Sequence, residues 1–229
     1  MAIFIDTGKI EEIQKYHEMG IIRGVTTNPT ILVKDGVTGG MEGVKKRSIE
    51  IAKLIDPLPL SVEVTSNDTQ KMLDQAVEFS QWANNINVKI TIHGPNGELD
   101  NLKVIHELET KKDVRINVTA MMSVQQCFLA AMAGATYVSI FGGRVNNMGY
   151  DSREEIRKLR DLLDDFELDS KIIVGSTREV INITEWLLAG AHIVTCTPQF
   201  IEGMIIHPYS KETVQMFLRD AEKVNEVVK

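Results

Sequence analysis

Ile86-Asn87-Val88-Lys89-Ile90-Thr91 reads as a β-strand, with isoleucine or valine at 86, 88 and 90 and a lysine on the opposite parity. Strand side chains alternate between faces, so Lys89 points away from the apolar row. A cationic amine facing the middle of an apolar sheet is costly to bury unless it is neutralised or paired. Burial also favours the neutral amine, the form that attacks a carbonyl to give a Schiff base. Taken alone, this strand leaves open a solvated lysine on an exposed face. The flanking sequence decides between the two.

Working outward, strands are predicted over residues 2–6, 21–27, 59–65, 114–119, 136–141, 171–175 and 192–195, with 86–91 as the fourth of eight. Helical segments fall between them, among them 9–19 behind Thr7, one ending near 55, one capped by Asn67 or Asp68, and 153–166. Two more, at 199–206 and 211–228, follow the last strand. Pro29 marks a sharp exit from strand two, and Gly142-Gly143-Arg144 opens a polar loop to Ser152. This alternation predicts an α/β fold, a (β/α)8 TIM barrel forming a single domain over residues 1–229, with an additional C-terminal helix. A doubly wound open sheet is the alternative, but Thr7-Gly8-Lys9 is too little for its phosphate loop.

A length of 229 with 43% hydrophobic residues suits one such barrel. The net charge of −7 argues against a nucleic-acid surface and gives no support for membrane attraction. No apolar run approaches the roughly 20 residues that span a bilayer. Met1 to Asp6 lacks a basic region before its apolar residues and reads as a strand, not a signal peptide, so a cytoplasmic location is expected. Cys127 and Cys196 have no CxxC spacing and are expected as buried, reduced thiols. The histidines are scattered and no cluster has metal-ligand spacing, so neither a metal nor a cofactor is expected.

Barrels carry their chemistry at the C-terminal strand ends, and these ends are polar here. In strand order they offer Asp6; Thr26, Thr27 and Asn28; Glu63; Lys89; Asn117 and Thr119; Ser139 and then Arg144; Ser176 and then Arg178. Singly, each has a plain reading: Asn28 as a turn residue before proline, Thr119 as a β-former, Arg178 as a solvated first-turn residue. Together they deliver one amine, two carboxylates, amides, hydroxyls and two arginines to one rim. Lys89 would attack a ketone, and the resulting iminium is an electron sink that allows C3–C4 cleavage. That step needs a base for the C4 hydroxyl, and carbinolamine dehydration needs a second acid/base; Asp6 and Glu63 are the two carboxylates available. Arg144, Ser176 and Arg178 lie where barrels commonly hold an anionic group.

The segments FIDTGKIEEI, GVTTNPTILVKDG, SVEVTS, NVKIT, INVTAMMS, ATYVSIFGGR, VGSTRE and LAGAHIVT resemble the short, single-barrel transaldolases, the branch that also holds the fructose 6-phosphate aldolases. The resemblance spans almost the whole chain. It implies Lys89 as the Schiff-base lysine, Asp6 as base for the C4 hydroxyl, and Glu63 with Thr119 around the catalytic water. It implies a substrate-binding set of Thr26, Asn28, Asn117, Ser139, Phe141, Arg144, Ser176 and Arg178, the last pair of arginines with Ser176 taking the anion. It also implies assembly into pentamers or decamers, with the C-terminal helix reaching a neighbour. Glu63 and Phe141 match the transaldolase choice where the aldolase branch has glutamine and tyrosine, so transfer of a dihydroxyacetone unit to an acceptor such as glyceraldehyde 3-phosphate is expected. Release of free dihydroxyacetone, or a non-catalytic sugar-phosphate-binding barrel, are the alternatives.

Three departures from the family pattern stand out. After the lysine the chain continues Thr91-Ile92-His93 instead of proline and a polar residue; after INVT it reads Ala120-Met121-Met122; and Asn146-Asn147 replace two aspartates beside Arg144. These changes resemble the sulfosugar transaldolases, which implies either 6-deoxy-6-sulfofructose or fructose 6-phosphate as the donor. A sulfonate is a monoanion and needs fewer positive partners than a phosphate.

Overall fold

Phe4 and Ile5, adjacent in the first strand, are both fully buried but in different places. Ile5 joins the large apolar cluster that includes Val25, Leu60, Val62, Val88, Ile90, Ile116 and Val118, whereas Phe4 packs with Tyr137, Ile173 and Ile193 in a separate one. Period-2 alternation thus feeds two cores, one between strands and helices and one inside the barrel. The computed structural model describes residues 2–227.

In chain order the elements are β1 (Ile3–Asp6), α1 (Ile10–Glu18), β2 (Val25–Thr26), α2 (Pro29–Lys34), α3 (Gly40–Ile55), β3 (Leu60–Glu63), α4 (Thr69–Ser80), β4 (Ile86–Thr91), α5 (Asn101–Lys111), β5 (Ile116–Met121), α6 (Val124–Met132), β6 (Tyr137–Ile140), α7 (Gly142–Asn147), α8 (Ser152–Asp165), β7 (Lys171–Val174), α9 (Val180–Leu188), β8 (Ile193–Cys196), α10 (Pro198–Ile205) and α11 (Pro208–Val227). The strands close in sequence order, all parallel, and β1 meets β8 through Phe4↔Thr195. This is the predicted (β/α)8 barrel with an additional C-terminal helix. β4 has the predicted bounds. Cys127 and Cys196 are free and buried as expected, and burial pushes the Cys196 thiol up to about 12.

Two short helices correct the sequence reading. Pro29 leaves the sheet as expected and also starts α2, a helix the sequence reading did not include: proline suits the first helical position, and the Asn28 side chain accepts the Ile31 N–H at 2.9 Å. Gly142 and Gly143 likewise open α7. β2 is also shorter than residues 21–27, because only Val25 and Thr26 ladder on both sides. The Thr7 hydroxyl accepts the Lys9 N–H two residues on and donates to Asp35 Oδ2; Lys9 holds the N-cap position of α1.

α11 leaves the barrel altogether. Every residue from 208 to 224 is exposed, including Val214, Phe217 and Leu218. Residue 228, within the predicted last helix, lies outside the described residues.

Candidate active site

Of the twelve residues expected as catalytic or substrate-binding, eleven surround one cavity of about 240 Å³: Asp6, Thr26, Asn28, Lys89, Asn117, Thr119, Ser139, Phe141, Arg144, Ser176 and Arg178. The twelfth, Glu63, borders an adjoining apolar pocket with Leu32 and Val44 and reaches Lys89 from that side. The register explains the grouping. Glu63, Lys89 and Asn117 are successive partners across β3, β4 and β5, so their side chains share the inner face at one level.

Lys89 is 7% exposed. Its Nζ lies 3.0 Å from Glu63 Oε2 and donates to the Thr27 carbonyl at 3.0 Å. The amine is therefore paired, not merely desolvated, and Glu63 is placed to receive its proton. Asp6 accepts a hydrogen bond from Thr26 Oγ1 at 2.7 Å, and the Thr26 and Thr195 hydroxyls meet at 2.6 Å. Burial raises the Asp6 carboxyl above the ordinary range; Lys89 and the Thr26 bond oppose that rise, and Asp35 and Glu63 add to it. A raised carboxylate beside an amine in a cleft is the disposition of a general base.

One wall is a chain of fixed hydrogen bonds. Ser139 donates to Asn117 Oδ1 at 2.6 Å, and Asn117 Nδ2 donates to Ser61 Oγ at 3.1 Å, so the buried Asn117 amide has one orientation. Asn28 spends Oδ1 on the cap of α2, which leaves Nδ2 for the cavity. Thr119 precedes Ala120, a non-glycine residue at φ +61°, where the β5–β6 register shifts. Such irregularities re-aim strand side chains beside sites.

The opposite wall is cationic. Arg144 lies over the Phe141 ring, 5.1 Å from its centroid. A Cβ on Gly143 would collide with the Ser176 carbonyl and crowd Arg178 Cγ. Glycine there lets the start of α7 lie against the β7–α9 loop, which brings Arg144, Ser176 and Arg178 to one side. Ser176 itself is held at φ +62°, a conformation that costs a non-glycine residue energy.

Some departures in sequence prove structural. Asn146 Oδ1 accepts the Ser152 N–H at 3.0 Å, and neither Asn146 nor Asn147 lines the cavity, although both follow Arg144 closely in sequence. Thr91 receives Asn101 Nδ2 at both its carbonyl and its hydroxyl, fixing the start of α5. Sequence reasoning also missed Thr195, Ile173 and Gly175 on the cavity wall and Ser61 behind it. Thr195 had a usable signal, a hydroxyl near the end of the eighth strand. Ser61 had none before the register was known.

Residues 3–229 match the family model described as Transaldolase/Fructose-6-phosphate aldolase. The chain is 36% identical to "Probable transaldolase" of Parabacteroides distasonis, covering 98% of this chain and 100% of that one. It is 38% identical to "Probable transaldolase 2" of Listeria monocytogenes, covering 97% and 96%. Among solved structures it resembles thiamine phosphate pyrophosphorylase from Pyrococcus furiosus, with TM-score 0.61, 11% identity and coverage of 86% and 85%, a likeness of fold alone. With its barrel closed and a family match running through β1 to α11, the chain belongs to the transaldolase/fructose-6-phosphate aldolase family of enzymes.

Proposed function

We propose that this enzyme is a Schiff-base transaldolase that moves a dihydroxyacetone unit from a 6-anionic ketose to an aldehyde acceptor. The carrying observation is Lys89, paired with Glu63 from the adjoining pocket, in a cavity that it shares with Asp6 and two arginines. Glu63 takes the lysine proton, and the free amine adds to C2 of the ketose. Loss of water, assisted by Glu63 and Thr119, gives the iminium. Asp6 then removes the C4 hydroxyl proton as the C3–C4 bond breaks. The bonding electrons flow into the iminium, an aldehyde leaves, and an enamine stays on Lys89 until an acceptor aldehyde such as glyceraldehyde 3-phosphate reverses the sequence.

Asn28, Asn117 and Ser139 bind the hydroxyls of the dihydroxyacetone unit, with Thr26 and Phe141 shaping the cavity around it. Arg144, Ser176 and Arg178 hold the terminal anion. That anion is a sulfonate, as in 6-deoxy-6-sulfofructose, or a phosphate, as in fructose 6-phosphate. Asn146 and Asn147 do not line the cavity, which favours the two arginines and Ser176 as the groups that set any preference. Borohydride trapping with each ketose, followed by peptide mass spectrometry, tests both the lysine and the donor.

The bare α11 supports a homo-oligomer. A 20-residue helix exposing Val214, Phe217 and Leu218 is an interaction surface that its own barrel does not use, and a second copy fits it.

A further inference from the structure

Thr195 ends the β8 contribution to the cavity and is 8% exposed. Its hydroxyl meets that of Thr26 at 2.6 Å, and Thr26 donates to Asp6 Oδ1 at 2.7 Å. A hydroxyl has one proton to give. With Asp6 ionised, Thr26 has spent its own, so the proton between the two threonines belongs to Thr195. Thr195 then shows the cavity only lone pairs. Asn117, on the far wall, is also locked by its neighbours. The two walls differ, because Thr195 can accept from a ligand and cannot donate to one.

We infer that Thr195 is a substrate-orienting residue: it accepts a hydrogen bond from a hydroxyl of the donor ketose and, through Thr26, aims the Asp6 carboxylate at the neighbouring C4 hydroxyl. The assignment rests on the Schiff-base reading above. It predicts discrimination in favour of polyhydroxylated donors at this position, since a carbonyl or ether oxygen facing Thr195 would meet lone pairs only. The charged groups facing Asp6 are Lys89 from β4, Glu63 from β3 and Asp35 after α2, with Lys9 and Arg178 on the adjoining rim.

The test uses the full chain and whichever of fructose 6-phosphate and 6-deoxy-6-sulfofructose the wild type turns over faster, with erythrose 4-phosphate as acceptor. Thr195→Val removes the hydroxyl at constant shape; Thr195→Ser keeps it. The valine variant is expected to lose about tenfold in kcat/KM, the upper range for one hydrogen bond. It should keep its Tm and its reducible Lys89 adduct. Its acid limb should move to higher pH, because Thr26 donation, which holds the Asp6 carboxyl down, loses its support. The serine variant should return to within about threefold of wild type. Wild-type kcat/KM and pH profile in Thr195→Val overturns the assignment alone, as does equal loss in both variants that tracks a fall in Tm. A wild type without a Lys89 adduct overturns the Schiff-base reading and this assignment with it.

Discussion

Glu63 Oε2 lies 3.0 Å from Lys89 Nζ, and the two residues are direct register partners on β3 and β4. Their side chains are 19% and 8% exposed, so the pair is largely shielded from solvent screening. The contact bears on stability and, in the proposed mechanism, on proton transfer, and the two uses can be separated by substitution.

Removing one member of a buried pair strands the other. Glu63→Gln is expected to lower the unfolding free energy by about 3 kcal/mol, measured by urea denaturation. The double variant Glu63→Gln/Lys89→Met should recover most of that loss, since no charge is then left unpaired. Kinetically, Glu63→Gln should slow adduct formation and shift whatever turnover remains towards free dihydroxyacetone, read by coupled assay with and without an acceptor aldehyde. An unchanged product ratio counts against the proton-transfer role of Glu63.

Asp6 should trade stability for activity. Its folded carboxyl is raised by burial, so near neutral pH the fold holds an ionised group at a cost that the unfolded chain does not bear. For a raised carboxyl, that cost disappears as pH falls below the folded-state value. Asp6→Asn is therefore expected to raise Tm at pH 7 while accumulating an intact ketose adduct that does not cleave. In the wild type, kcat should fall as pH drops through the raised Asp6 value, above the ordinary carboxylate range. Near-normal transfer by Asp6→Asn would contradict the assignment.

At the anion end, Arg144→Ala or Arg178→Ala should each lower kcat/KM for 6-anionic ketoses by roughly ten- to a hundredfold, the worth of about 1.5–3 kcal/mol for a charge-assisted bond. Uncharged fructose should be nearly unaffected. Gly143→Ala should produce the same selective defect without touching an arginine, because the added methyl meets the Ser176 carbonyl and forces α7 away from the β7–α9 loop. A parallel loss with fructose would show that the loop serves something other than the anion.

Deleting residues 208–229 should leave the barrel folded, since residues 208–224 are all exposed, and should reduce the assembly to smaller species by light scattering. An unchanged mass distribution would remove α11 from the interface.

Much of this was legible before any coordinates. Apolar parity around Lys89 sufficed for β4, and the polar ends of the neighbouring strands, taken with it, turned the amine inward. The polar strand ends followed from the same alternation. α2 and α7 were missed because Pro29 and the Gly142-Gly143 pair are loop residues by habit, yet each also fits a helix start. Ser61 and the Glu63–Lys89 contact depend on which residues face each other across strands, and periodicity within one strand carries no register. Asn146 was misplaced for another reason: a six-residue helix turned its side chain towards Ser152, and nothing in Asn146-Asn147 encodes that turn.

The central claim is covalent chemistry at one amine. The enzyme should be incubated with 6-deoxy-6-sulfofructose or fructose 6-phosphate, reduced with borohydride, and mapped by peptide mass spectrometry. The expected result is a single ketose- or dihydroxyacetone-derived adduct on Lys89, absent from a folded Lys89→Ala variant. A stable adduct on another lysine, or turnover by Lys89→Ala, would contradict the account.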